Sequence, residues 1–142
     1  MIAQLPAGFA SAIDGVRHSE LQRRPVATMW SIAEYLDHVR ETTFGMRFIL
    51  ATALEASGTD VGEPPASRFD PEPRLVDVRA ALKGLREEAQ QLHDQLRQLG
   101  EPSWESTVVV GGEVVDVHWI ARHAVHDATH HLSDIERLRE RL

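Results

Sequence analysis

Apolar side chains recur at intervals of three and four residues in four separate stretches of the chain. This spacing places the apolar groups on one side of a helix, so each stretch predicts an amphipathic helix. The first predicted helix is short and lies between Pro6 and Pro25, and the second begins at Ser31. The clearest pattern predicts a third helix from Leu75 to Leu99, and the last helix runs from about His118 to Arg141.

The second predicted helix carries signals at both of its ends. Ser31 followed by Glu34 matches a capping box, in which each side chain binds a backbone N–H that has no partner within the helix. The helix ends near Ser57-Gly58, where glycine serves as the C-cap. Residues 58–73 then hold four prolines and two glycines without apolar periodicity, which predicts a long surface loop.

One short segment breaks the helical pattern. Between Thr107 and Val117, a Gly-Gly pair separates two runs of β-branched residues, which predicts a tight hairpin. The heptad spacing of the third helix also suits a coiled coil, but the other amphipathic helices can cover its apolar side within the chain. The sequence therefore predicts an all-α fold: a single four-helix domain over residues 1–142, with a small β-hairpin between helices 3 and 4.

The amino-acid composition argues against two classes of binding partner. Fifteen basic residues against 22 acidic ones give a net charge of −7, which repels nucleic acid and anionic membranes. The first residues lack a basic, then apolar, leader pattern, and charged residues follow soon after, so we expect a cytoplasmic protein. Fourteen of the fifteen basic residues are arginine, which suggests a GC-rich source.

The candidate chemistry rests on histidine, because the chain has eight histidines and no cysteine. A disulfide scaffold, a thiolate zinc finger and a cysteine nucleophile are thereby excluded. Any metal site must use imidazole and carboxylate groups. Five of the histidines lie between His118 and His131, on the last predicted helix.

Three pairs on that helix have the i, i+4 spacing that lets two metal ligands leave one face. The pairs are His126 with His130, His123 with Asp127, and Asp127 with His131. At about 100° per residue, Asp127 and His131 lie at the edge of the apolar arc formed by Ile120, Ala124, Ala128, Leu132, Ile135, Leu138 and Leu142. His126 and His130 fall toward solvent or the bundle rim, so Asp127 and His131 are the predicted inward pair.

A third candidate lies on the second helix. His38 is at the edge of that helix's apolar face, where a histidine is more often a satisfied core residue than a ligand. Asp127 and His131 alone would also suit a simple ion pair that holds the helices together. Three such groups from two helices, however, match a catalytic metal site with one open coordination position.

These residues resemble the pattern of the DinB/YfiT-like superfamily of metal-binding four-helix bundles. The resemblance rests on Trp30-Ser31, Glu34 and His38, followed on the last helix by Asp127, His131 and Ile135, and it spans the chain in order. It implies that His38, Asp127 and His131 bind a divalent metal, most often zinc or nickel. The chain departs from the pattern at Asp127, where relatives carry histidine or the longer glutamate.

The resemblance also implies an activity. Characterised relatives are thiol transferases and a thiol-dependent isomerase that use small thiols such as mycothiol or bacillithiol. Metal coordination deprotonates a thiol, so the metal would generate the nucleophile from a small-molecule thiol that then attacks an electrophile. Mycothiol is the thiol that we expect for a GC-rich source. A thiol supplied by a cosubstrate also agrees with the absence of cysteine from the chain. The resemblance makes a homodimer plausible as well.

Several residues have alternative roles. Glu34 is expected mainly to cap its helix, and its alternative role is to orient a ligand. His123 and Asp134 can each orient a ligand or lie on the surface. His126 and His130 can lie on the surface, support the ligands or form an alternative site at the rim, and His130 can instead join a shifted site. Trp30 and Trp119 are expected to pack at bundle ends or to wall a substrate pocket. Two other functions stay open: a non-catalytic metal- or ligand-binding stress-response protein, and a structural helical dimer with a buried polar network.

Overall fold

Helices dominate the chain across residues 1–63 and 69–142, which the computed structural model describes. Five α-helices and two short 3₁₀ turns, at Ile2–Gln4 and Glu101–Glu105, alternate with three short strands. The helices are α1 (Leu5–Ile13), α2 (His18–Leu21), α3 (Ile32–Glu55), α4 (Val78–Arg97) and α5 (Val117–Arg139). The strands are β1 (Thr59–Asp60), β2 (Thr107–Val110) and β3 (Glu113–Asp116).

The four longer helices form the predicted bundle. Helix α3 packs against α4 and α5, and α1 closes the bundle against the same two helices. Burial of the apolar stripes of these helices is the main force that holds them together. The largest fully buried apolar side chains lie in two adjoining clusters and include Phe9, Leu36, Leu85 and Ile135 in one and Leu50, Leu92, Val108 and Ile120 in the other.

The capping box at Ser31 is confirmed. The Glu34 N–H donates to Ser31 Oγ at 3.1 Å, and the Ser31 N–H donates to Glu34 Oε2 at 2.8 Å. The predicted start of the third helix at Leu75 is wrong, because α4 begins at Val78 after Asp77, whose side chain accepts from the Ala80 N–H. Leu75 precedes the helix and is 84% exposed.

The single first helix is also wrong in its extent. The chain leaves the helix after Ile13 and passes through Gly15 at a φ of 73° before α2 begins at His18. Glycine adopts this left-handed conformation without steric cost, so it ends the helix where the loose apolar spacing alone did not reveal a break.

The hairpin is confirmed and is part of a slightly larger sheet. Strands β2 and β3 pair antiparallel with Val108 opposite Val115, and Gly111 and Gly112 form the turn at φ values of 56° and 81°. Strand β1 pairs parallel to β2, so the start of the predicted surface loop is in fact a strand. The rest of that predicted loop includes residues 64–68, which lie outside the described residues.

Helix α5 bears out the predicted core arc with one exception. Ile120, Ala124, Ala128, Ile135 and Leu138 are buried, and Leu132 is partly buried against the core. Leu142 is 47% exposed, because the helix ends at Arg139 and the helical spacing that defined the arc does not extend to Leu142. The same helix face that packs the core therefore carries Asp127 and His131 at its edge. Among the described residues, no helix has the length and apolar character needed to cross a membrane.

Candidate metal centre

His38 on α3 meets Asp127 and His131 on α5 at the interface between these two helices. Each residue offers one ligand atom, and the three atoms lie within 4.8 Å of one another. His131 Nε2 lies 3.5 Å from Asp127 Oδ1, and the His38 and His131 rings have centroids 4.7 Å apart. Over residues 1–63 and 69–142, this is the one group of three or more potential ligands so close together.

The chemistry of these donors fits a divalent metal. Two imidazole nitrogens and one carboxylate oxygen are a common donor set for a zinc-type site. Atoms that bind one tetrahedral metal at about 2.0–2.1 Å lie about 3.4 Å from one another, close to the spacing of the Asp127 and His131 atoms. The cluster also reaches the surface, since the side chains of Asp127 and His131 are 24% and 15% exposed.

The electrostatics of the cluster favour an ionised aspartate. Burial raises the pKa of Asp127, but hydrogen bonds from His131 and Thr42 outweigh burial and bring its pKa below the usual range. Burial lowers the pKa of His38, and the neighbouring His131 lowers it further. Burial also lowers the pKa of His131, yet hydrogen bonds with Asp127 and Asp134 raise it overall. The cluster therefore combines a carboxylate with a predominantly neutral His38.

Asp134 orients His131 from the side opposite Asp127. Its Oδ2 atom lies 3.1 Å from His131 Nδ1, and its other oxygen binds Arg137. A carboxylate beside Nδ1 keeps a proton on that nitrogen, so Nε2, which faces Asp127, is the atom that would lose its proton to bind a metal. The structure thus places Asp134 where it can hold the ring of a candidate ligand, one of the two roles expected from the sequence.

The other histidines of α5 lie outside the cluster. His126 and His130 are exposed, with ring centroids 6.5 Å apart, and His130 Nε2 is 3.8 Å from Asp134 Oδ2. The His123 ring stacks on Trp119 at 4.4 Å. None of the three belongs to the group of closely spaced donor atoms.

Aromatic rings lie beside the two histidines of the candidate metal site. The Trp30 ring is 4.6 Å from the His38 ring, and the Tyr35 ring is 5.4 Å from the His131 ring. Phe69 lies 6.3 Å from Trp30, approximately parallel to it, and is 40% exposed. Trp30 therefore lies beside the candidate ligands, and its role as the wall of a substrate pocket stays a prediction.

Comparison with known proteins identifies the family. The family model of the DinB superfamily matches residues 1–135. The chain belongs to the DinB superfamily. A solved structure of YfiT from Bacillus subtilis, described as a probable metal-dependent hydrolase with an unusual four-helix bundle topology, matches with a TM-score of 0.81 at 16% identity. The match covers 99% of this chain and 82% of YfiT, and it confirms the fold. The curated proteins include no significant match.

Glu34 has a structural role in this DinB-superfamily chain that sequence reasoning described only in part. Besides capping α3, its buried carboxylate accepts from Arg24 Nε at 2.8 Å, from Arg24 Nη2 at 2.6 Å and from the Arg74 N–H at 3.0 Å. Arg24 also donates to the carbonyl oxygens of residues 70–72, and its guanidinium lies 4.8 Å from the Phe69 ring. The ion pair between Arg24 and Glu34 therefore stabilises residues 70–72, the segment next to Phe69, whose ring lies beside Trp30.

Two residues that contact the candidate site or its neighbour Glu34 were not predicted from the sequence. Thr42 donates to Asp127 Oδ2 at 2.9 Å, and Arg24 binds Glu34 from ten residues away. The only signal for Thr42 was its position four residues after His38, on the same helix face. Arg24 carried no signal, because it follows α2 in a segment without periodicity.

Proposed function

We propose that this protein binds a divalent metal through His38, Asp127 and His131 and uses it to activate a small thiol for transfer to an electrophile. The observation that carries the proposal is the convergence of these donors from two helices at the edge of the bundle core. We propose zinc or nickel as the metal, since imidazole nitrogens suit both.

The cluster has the composition of a catalytic rather than a structural site. Three protein donors leave a coordination position for an exogenous ligand, whereas structural zinc sites are closed by four protein donors. A divalent metal held there supplies a positive charge that lowers the pKa of a thiol or a water molecule. The chain has no cysteine, so the thiol must arrive with a cosubstrate, and mycothiol is the first candidate.

The chain's own residues would then orient the reactants. Asp134 holds the His131 ring through Nδ1, which keeps the Nε2 atom directed at the site. Trp30, Tyr35 and Phe69 provide an apolar surface beside the donors. We propose that the carbon skeleton of the electrophile packs on this surface, which reduces access of water to the reacting atoms.

Hydrolysis is a second candidate activity. The structural match to YfiT, described as a probable metal-dependent hydrolase, favours water as an alternative nucleophile at the same site. Two further candidates need no catalysis: a metal- or ligand-binding protein, and an ion-pair network in which His131 and Asp127 hold α5 within the bundle.

The assay separates these functions in order. Metal content and titration first distinguish a metal site from an ion-pair network. Conjugation of mycothiol or bacillithiol to a model electrophile, with and without metal, then tests the transferase, and hydrolysis of an activated ester under the same conditions tests the hydrolase. A metal-dependent rate with a thiol supports the proposal, whereas metal binding without any rate favours the binding protein.

A homodimer and a cytoplasmic location belong to the same proposal. Phe44 and Phe48, one turn apart on α3, are 50% and 59% exposed, which is apolar surface that a second copy would cover. Sedimentation of the wild type and of Phe48→Glu tests the dimer. A wild type that sediments as a monomer over the full concentration range contradicts it.

A further inference from the structure

Two pairs of residues face each other across the interface between α3 and α5. His38 and Thr42 are four residues apart on α3, and Asp127 and His131 are four residues apart on α5. The His38 ring lies 4.7 Å from the His131 ring, and Thr42 Oγ1 lies 2.9 Å from Asp127 Oδ2. His38 therefore faces His131, and Thr42 faces Asp127. The Thr42 hydroxyl thus lies at the same helix interface as the three candidate ligands.

The Thr42 hydroxyl lies within hydrogen-bond distance of two acceptor oxygens. Besides Asp127 Oδ2 at 2.9 Å, it lies 3.2 Å from the backbone oxygen of Val39. A hydroxyl has one proton, and an ionised carboxylate is a stronger acceptor than a backbone carbonyl. The shorter distance agrees with this preference. The proton therefore belongs to the bond with Asp127.

We infer that Thr42 is a positioning residue that makes Asp127 a ligand through one oxygen only. The inference rests on the metal site proposed above. The hydrogen bond from Thr42 holds the carboxylate by Oδ2, which leaves Oδ1 beside His131 Nε2, 3.5 Å away. The β-branched side chain of threonine is restricted to two main rotamers in a helix, which limits the positions that the hydroxyl can take.

The single-oxygen ligand has a consequence for the coordination number. An aspartate with both oxygens free can bind a metal through the pair, which adds a fourth protein donor atom. With Oδ2 bound to Thr42, the protein supplies three donor atoms and a position stays open for the substrate. Thr42 thus acts on coordination through Asp127, without contacting the metal.

The test compares metal binding by three threonine variants of the full chain. Thr42→Val removes the hydroxyl at nearly constant volume, and Thr42→Ser keeps the hydroxyl. Thr43→Val is the matched control, because the Thr43 hydroxyl is buried on the same helix and donates to the Val39 backbone oxygen at 2.7 Å. Affinities for Zn²⁺ and Co²⁺ are measured by competition with a chromophoric chelator, and circular dichroism verifies that each variant is folded.

We expect Thr42→Val to weaken metal binding by about 10- to 100-fold, as for other residues that orient ligands, because the lost orientation of Asp127 should outweigh the gain of a second free oxygen. Thr42→Ser and Thr43→Val should stay within about threefold of the wild type. The visible Co²⁺ bands, which are intense for four-coordinate sites, should weaken in Thr42→Val as Asp127 becomes free to bind through both oxygens. In an Asp127→Ala background, the Thr42→Val change should have little further effect, because its partner is gone.

Each result distinguishes this inference from the proposed function. A wild type that binds metal, together with a Thr42→Val variant of unchanged affinity and Co²⁺ spectrum, overturns the role of Thr42 and leaves the metal site intact. A loss equal to that of Thr43→Val also overturns it, because the effect would then be a general one of helix α3. A wild type that binds no metal overturns both.

Discussion

Replacing Glu34 with glutamine removes a charge from a buried ion pair while the side chain keeps its shape. The Glu34 side chain is 1% exposed and that of Arg24 is 6% exposed. Arg24 binds both carboxylate oxygens, and the backbone N–H groups of Ser31 and Arg74 take one oxygen each. Glutamine offers a single acceptor oxygen and turns an NH₂ group toward these donors, so the guanidinium of Arg24 loses its counter-charge.

The expected cost follows from the pKa of Glu34. Burial raises this pKa, but the hydrogen bonds from Arg24, Ser31 and Arg74 outweigh burial and lower it from 4.5 to about 2. A shift of this size corresponds to about 3 kcal/mol of stabilisation, at the lower end of the cost of removing one partner from a buried pair. The free energy of unfolding of small domains is about 5–15 kcal/mol, so Glu34→Gln should remain folded but weakened.

The sign of the pH dependence gives a second measurement. Because the pKa is lower in the folded state, the stabilisation is complete above the unfolded pKa of 4.5 and is lost as the pH falls through about 2. Urea unfolding at pH 7 should show a loss of about 3 kcal/mol for Glu34→Gln with an unchanged m-value. About half of the difference from the wild type should disappear by pH 3.

An exposed ion pair provides the control. Lys83 and Glu87 are 3.2 Å apart on α4 and their side chains are 73% and 53% exposed. Glu87→Gln should therefore cost less than about 1 kcal/mol. Equal losses for Glu34→Gln and Glu87→Gln at pH 7, or a Glu34→Gln difference that is the same at pH 7 and pH 3, would refute the reasoning.

Three further predictions concern the turn and the candidate site. Gly112→Ala should lower the free energy of unfolding by about 1–2 kcal/mol in urea, because the left-handed φ of 81° strains any side chain; an unchanged midpoint contradicts this. Metal addition should change the tryptophan fluorescence of the wild type and of Trp104→Phe but not that of Trp30→Phe, because Trp30 lies 4.6 Å from His38. Asp134→Asn should weaken metal binding by about 10- to 100-fold in chelator competition; an affinity equal to wild type would show that Asp134 orients nothing.

The elements that sequence predicted well are those with a local cause. The capping box at Ser31 and the Gly111-Gly112 turn each depend on contacts between residues that are neighbours in the chain. One prediction failed because its cause lies elsewhere in the fold: strand β1 forms because β2 lies beside it. Another failure has a local cause that apolar spacing does not contain, since α4 starts later than this spacing suggested because Asp77 caps it.

The candidate site shows the same division. Helical phase on α5 separated Asp127 and His131 from the exposed His126 and His130, since phase is a property of a single helix. Thr42 was missed, because its hydroxyl acquires a role only when α3 packs against α5. Arg24 was missed for the same reason, as its partner is fixed by the fold and not by spacing.

The metal content of purified protein tests the central claim most directly. Elemental analysis and titration with Zn²⁺ and Ni²⁺ are applied to the wild type, to His131→Ala and to the matched control His126→Ala. We expect the wild type and His126→Ala to bind stoichiometric metal and His131→Ala to lose it. A wild type that binds no metal, or a loss for His126→Ala as large as that for His131→Ala, would contradict the site formed by His38, Asp127 and His131.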